Sequence, residues 1–172
     1  MRRTRTDWLT AGLTLLRDEG EHTLTIERLC RAVGLSKGSF YHHFQHVEAY
    51  RAALLSCWEE TQTDAPIQQS EGAADPLHAL RAAIGPLDHP LELAVRAWAV
   101  RDGQVRAALN RVDARRTEHL RQVHVRLGHA HAGELAELEY ATFLGLQTLG
   151  WTDRADLARL HARALAGLAS AD

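Results

Sequence analysis

Apolar side chains recur at three- and four-residue spacing along almost the whole chain. No short window alternates apolar and polar positions with the β-branched enrichment of a strand. The pattern predicts an all-helical protein. A first helix over about residues 5 to 19 puts Trp8, Leu9, Leu13 and Leu16 on one stripe and stops at Gly20. A second starts at Thr25, whose hydroxyl can cap the first turn while Leu24 and Leu29 occupy the positions of a hydrophobic staple. Gly34 breaks that helix, and Ser36 caps a third, with Leu35 and Phe40 as a second staple. The same start device thus occurs twice within twelve residues. A fourth helix begins near His46 and runs past Trp58, stacking Tyr50, Leu54 and Trp58.

The stretch DAPIQQSEGAAD, residues 64 to 75, reads as a polar loop. Further helices are expected at about 76 to 85, 90 to 101, 104 to 127, 132 to 148 and 154 to 168, with Asp102 placed to cap the longest. The expected organisation is a three-helix head over residues 1–45, joined by helix 4 to a larger C-terminal helical domain over 46–172.

Two short helices joined by a tight turn, TIERLCRAVGLSKGSFYHHF, form a helix-turn-helix signature. At about 100° per residue, Phe40 and Phe44 share the inward face of the third helix. Gly38, Ser39, Tyr41 and His42 fall on or beside the outer face, and Lys37, the only lysine of the chain, projects from the first turn. This small polar surface suits entry into a DNA groove. Glycine lets the backbone approach, short donors reach phosphates, and Lys37 can meet a guanine edge or a phosphate.

Composition supports this picture more than it changes it. A chain of 172 residues can bury roughly two-thirds of its unfolded surface without disulfides or metals. Cys30 and Cys57 sit inside helical patterns, as expected of a cytoplasmic protein. Nowhere do about 18 apolar residues run together, and the N-terminal segment lacks a small-residue cleavage site, so no membrane partner is expected. The net charge of −2 is uneven: 8 basic and 6 acidic side chains up to Ser56, then 12 and 16. Arg2, Arg3 and Arg5 resemble a basic arm that reaches phosphates.

Eleven histidines raise the question of a metal, but neither His42 with His46 nor His129 with His131 has a third ligand nearby in sequence. No nucleophile elbow, phosphate loop or dinucleotide fingerprint is present. No catalytic residue, metal or cofactor is therefore expected, and the chain does not read as an enzyme.

Residues 8 to 55 resemble the DNA-binding domain of the TetR/AcrR family of transcriptional regulators, through WLTAGLTLLRDEG, TIERLCRAVGLSKGSFYHHF and EAYRAALL. The resemblance implies DNA contacts from Thr25, Ser36, Lys37, Gly38, Ser39, Tyr41, His42 and His43, with Thr25 directed to phosphate and His43 either contacting phosphate or buttressing the helix. It departs at Val47, where the family commonly carries a phosphate-binding lysine. His46 or the arginine arm is then the expected substitute; the alternative is a helical adaptor that has lost specific DNA binding.

The resemblance further implies a repressor that binds a palindromic double-stranded operator as a homodimer and responds to an unidentified small-molecule effector. Trp98, Arg101, His119 and Tyr140 are candidate effector contacts, although core packing is the stronger reading for Trp98 and Tyr140, since aromatic residues at helical spacing usually fill volume. The last two helices carry Leu135, Leu138, Leu146, Leu149, Leu157, Leu160 and Leu168, more apolar surface than one side of a small bundle needs, which suits a two-fold interface.

Overall fold

The computed structural model describes residues 4–169, and among these the regular elements are helical. Arg2 and Arg3 of the expected arm lie outside the described residues. The helices are α1 (Arg5–Glu19), α2 (Ile26–Val33), α3 (Lys37–His43), α4 (Val47–Glu59), α5 (Ala65–Ser70), α6 (Pro76–Ile84), α7 (His89–Ala99), α8 (Gly103–Arg126), α9 (Ala132–Thr148) and α10 (Ala155–Ala169).

Local chemistry sets most of these boundaries. A capping box opens α1: the Thr4 hydroxyl accepts from the Asp7 N–H, and the Asp7 carboxylate accepts from the Thr4 N–H at 2.6 Å. Thr25 Oγ1 accepts from the Arg28 N–H at 3.3 Å, and Ser36 Oγ from the Ser39 N–H at 3.4 Å. Between them Gly34 takes the left-handed conformation, φ +74°, which an L side chain adopts only with strain. Asp102 caps α8 by accepting from the N–H groups of Gln104 and Val105.

The expected loop over 64 to 75 is corrected over residues 64–70, while 71–75 form the irregular turn the sequence predicts. The helical path of α4 continues through a π-helical turn, Glu60–Asp64, directly into α5. Thr63, Pro66 and Ser70 are buried at helical spacing, so the inward stripe is there but is made of residues that a hydrophobic pattern passes over. Pro66 has no N–H to give, and it follows the wider turn in which the regular ladder is already interrupted.

The chain forms two compact units, one comprising the chain up to Pro66 with Ile84–Asn110, the other Ile67–Ala83 with the chain from Arg111 on. Packing therefore groups α4 and α7 with the head. In the first unit α7 packs against α1, and ion pairs join Arg17, near the C-terminus of α1, to Asp88, the N-cap of α7, at 3.2 Å, and Glu21, just after α1, to Arg101, just after α7, at 2.9 Å. Its centre is aromatic. Phe40 packs edge-on to Trp8 with centroids 5.5 Å apart and touches Phe44 and Tyr50 as well.

The Tyr50 hydroxyl donates to the Trp8 carbonyl at 2.9 Å, and burial pushes its phenol well above the ordinary value, keeping it a donor. Gly12 makes this approach possible, since a Cβ there would stand 1.8 Å from the Tyr50 hydroxyl oxygen.

In the second unit α10 packs on α9 through Leu165, and the interior carries polar groups. Glu139, on α9, accepts from Arg81 of α6 at 3.0 Å and faces His124 Nε2 of α8 at 3.1 Å. His124 Nδ1 lies 2.9 Å from His129 Nδ1, a separation at which one nitrogen must carry the hydrogen. Burial pushes the imidazoles of His119, His124 and His161 below their ordinary value of 6.5.

Candidate nucleic-acid interface

The aromatic cluster fixes which face of α3 is available. Phe40 and Phe44 are buried, so their helical neighbours Lys37, Gly38, Tyr41 and His42 are exposed, while Ser39 and His43 are partly covered. Tyr41 is 54% exposed, with its ring edge-on to Phe40. His42 and His43 stack edge to face, with ring centroids 5.1 Å apart.

Thr25 and Ser36 are both exposed and both use their oxygen as helix caps. A capping hydroxyl accepts from the backbone and retains its hydrogen, so each can still donate to a phosphate oxygen.

Gly38 is informative because the fold does not require it. A Cβ at this position would meet only Ser36 Oγ, at an ordinary 3.7 Å, and the backbone is helical. Glycine inside a helix costs about 1 kcal/mol relative to alanine. Nothing within the protein offsets that cost, which is what a surface shaped for close approach by another molecule looks like.

The charges around α3 are less free than the composition suggests. Lys37 pairs with Glu27 of α2, and Arg28 pairs with Glu19 at the end of α1. Arg5 does not stand off as an arm; its guanidinium lies 5.2 Å from the centroid of the Phe44 ring. At the start of α4 the half-buried Val47 offers no donor, but His46 beside it is the N-cap. Its Nδ1 lies 3.1 Å from the Ala49 N–H nitrogen and 3.1 Å from a carboxylate oxygen of Glu48.

The effector candidates divide between the units. In the first, Trp98 is buried with the Arg51 guanidinium 6.0 Å over its ring, and Arg101 reaches Glu21. In the second, His119 is buried with Nε2 2.8 Å from Ser70 Oγ, while the Tyr140 hydroxyl donates to Asp113 at 2.6 Å and burial pushes its phenol up to about 12. Tyr140 also lines an open cleft of about 560 Å³ with Asp113, Thr117, Arg121 and Glu137. Of the histidines considered as metal ligands, His129 contacts His124 and His42 contacts His43. No group of three or more His, Cys, Asp or Glu among the described residues is arranged to hold a metal ion.

Residues 9–49, which hold most of α1, both helices of the motif and the start of α4, match the model of the bacterial regulatory proteins of the tetR family. The match covers 41 of the 172 residues, the helix-turn-helix of α2 and α3 among them, and over this segment the chain is similar to that family. No curated protein sequence matches the chain.

Solved structures share its fold over almost its whole length. A transcriptional regulator from Rhodococcus sp. Rha1 superposes with a TM-score of 0.74 at 20% identity, covering 97% of this chain and 94% of its own. E. coli NemR in its reduced form gives 0.76 at 20% identity and 96% of both chains. NalD, the secondary repressor of the MexAB-OprM multidrug efflux pump in Pseudomonas aeruginosa, gives 0.64 at 22% identity, covering 95% and 94%. No helix of the described residues is long and apolar enough to cross a membrane.

Glu27 is the member of this surface that sequence reasoning missed. Its pairing with Lys37 depends on the angle between α2 and α3. The one available signal was that Glu27 is the only carboxylate between Thr25 and Val47.

Proposed function

We propose that this protein is a ligand-responsive repressor that binds a near-palindromic operator as a homodimer, with Thr25, Ser36, Lys37, Gly38, Ser39, Tyr41, His42 and His43 as its DNA contacts. The reading is carried by the outward face of α3, where an exposed lysine, tyrosine and histidine surround a glycine for which the fold has no use. His46 stands in for the lysine absent at Val47.

Dimerisation through α9 and α10 is supported by Leu138, Leu149, Leu160 and Leu168, 45%, 58%, 61% and 50% exposed on the last two helices. Leu135, grouped with them by sequence, is buried within its own unit. A two-fold dimer of this kind sets its recognition helices about 34 to 36 Å apart, one turn of DNA.

Among the effector candidates, Tyr140 has the strongest support, because it combines an aromatic wall and a hydroxyl at the edge of a cleft. The unidentified small molecule shifts the population toward a conformer unable to engage both half-sites, with α4 as the mechanical link. Tyr50 of α4 touches both Phe40 and Phe44, so α4 cannot move without disturbing the seat of α3.

Selection from random-sequence duplex DNA tests the reading. The purified protein should enrich a two-fold site, and Lys37→Ala and Tyr41→Phe should each weaken binding to it in gel shifts at fixed salt while the protein remains folded. Enrichment of nothing would leave the helical adaptor as the correct description.

A further inference from the structure

We infer that Glu27 is a specificity-determining residue of the DNA surface: by pairing with Lys37 it withholds that cation from sequence-independent phosphate binding. The inference rests on the assignment of Lys37 to the DNA interface. Glu27 lies in the first turn of α2 and Lys37 in the first turn of α3, and the ion pair between them spans the helix-turn-helix on its outer side. Both side chains are about as exposed as each other, 61% and 60%, so neither is held there by burial. Their effect on each other is mutual, with Glu27 held below its ordinary carboxylate value and Lys37 above its own.

An exposed pair of this kind contributes little to folding. Near a polyanion its consequences are larger. Non-specific DNA affinity comes almost wholly from neutralising phosphates, and each contact made by Lys or Arg releases condensed counterions. To make such a contact Lys37 must leave Glu27, and the carboxylate then faces the backbone uncompensated. On a cognate site Lys37 has a fixed acceptor, a guanine edge, whose interaction can repay that separation. The penalty therefore falls hardest on sites that offer only phosphate.

Glu27 is also the sole carboxylate between Thr25 and Val47, so no neighbouring acid in this segment duplicates it.

The experiment measures binding of full-length protein to a random-sequence duplex and to the fragment best enriched by the native protein, across salt concentrations, for Glu27→Gln, Lys37→Ala and the double variant. Glu27→Gln should bind the random duplex more tightly and with a steeper salt dependence. One recovered phosphate contact adds about 0.9 to the slope, so a dimer recovering one at each of two heads adds about 1.8, or about a twelvefold larger loss of affinity between 50 and 200 mM salt. The ratio of enriched to random affinity should fall. In the Lys37→Ala background the same substitution should change nothing.

If Glu27→Gln leaves slope and ratio unaltered while Lys37→Ala weakens binding, the inference fails and the DNA role of Lys37 stands. If the gain persists without Lys37, Glu27 acts as a general negative charge and the inference fails. If Lys37→Ala is silent on both duplexes, the assignment of Lys37 falls and the inference with it.

Discussion

The core beneath the recognition helix and the core of the second unit handle buried polar groups differently. Beneath the recognition helix the core is aromatic: Trp8, Phe40, Phe44 and Tyr50 touch one another, and the Tyr50 hydroxyl is satisfied by the Trp8 carbonyl. The Trp8 indole N–H is buried without a hydrogen-bond partner, a cost of about 1 to 3 kcal/mol that burial of so large a ring can offset. The second unit instead buries Glu139 and His124, of α9 and α8, which meet the exposed Arg81 of α6 and the half-buried His129 of the turn after α8. An apolar core gives α3 a seat that changes little with solution conditions. A core of buried imidazoles ties the stability of its unit to pH.

The contrast breaks most visibly at Phe40. Phe40→Ala removes the ring that touches Trp8, Tyr41, Phe44 and Tyr50 and should cost about 3 to 5 kcal/mol. Hydrogen exchange should show protection lost in α1 to α4 and largely kept in α9 and α10. Equal loss in both units would mean that they do not unfold separately.

A smaller effect is expected at Glu139. Glu139→Gln removes the anion facing His124 and Arg81 and should cost about 1 to 3 kcal/mol at pH 7.5, by weakening buried hydrogen bonds. Its pH dependence has a definite sign. His119, His124 and His161 have folded-state values below 6.5, so the unfolded chain binds more protons as pH falls past that value, and stability falls with it.

In the first unit His89 is shifted the same way, so the head is not exempt, but it carries one such group against three. Protection factors of α8 and α9 amides, corrected for the intrinsic slowing of exchange at lower pH, should therefore fall more than those of α2 and α3 between pH 7.5 and 5.5. Glu139→Gln should steepen the effect, because Glu139 is what favours the charged form of His124. A flat profile for α8 and α9 would remove the distinction between the two cores.

The same contrast explains how much the sequence could reveal. In the head, the devices that set the fold are local: Thr25 and Ser36 cap within three residues, and Gly34 sits between them. Helix boundaries and the inward placement of Phe40 and Phe44 were legible for that reason. The capping box of Thr4 and Asp7 was equally local and only overlooked.

What remained hidden depended on distance or on unlikely residue types. Arg81 and Glu139 are 58 positions apart and Arg17 and Asp88 are 71, so neither the polar core nor the grouping of α7 with the head has a signature in periodicity. Helix α5 stayed hidden because its buried stripe with the preceding turn is Thr63, Pro66 and Ser70. At the DNA surface the exposed side chains were legible, whereas the partners of Lys37 and Arg28 were not, since both pairs join different helices.

The smallest effect separates stability from function within the head itself. Gly38→Ala places a methyl group whose nearest neighbour would be Ser36 Oγ at 3.7 Å, so no clash opposes it. Replacing glycine in a helix by alanine should then stabilise the protein, by about 0.5 to 1 kcal/mol, through the unfolded chain's lost freedom. The added methyl points to solvent on the face assigned to DNA, where it would hold the backbone away from the groove. A urea titration should move to a higher midpoint while affinity for the enriched fragment falls. Improved stability with unchanged DNA affinity would show that the α3 backbone does not approach the duplex at this point, and the interface would then have to be carried by the longer side chains of Lys37, Tyr41 and His42.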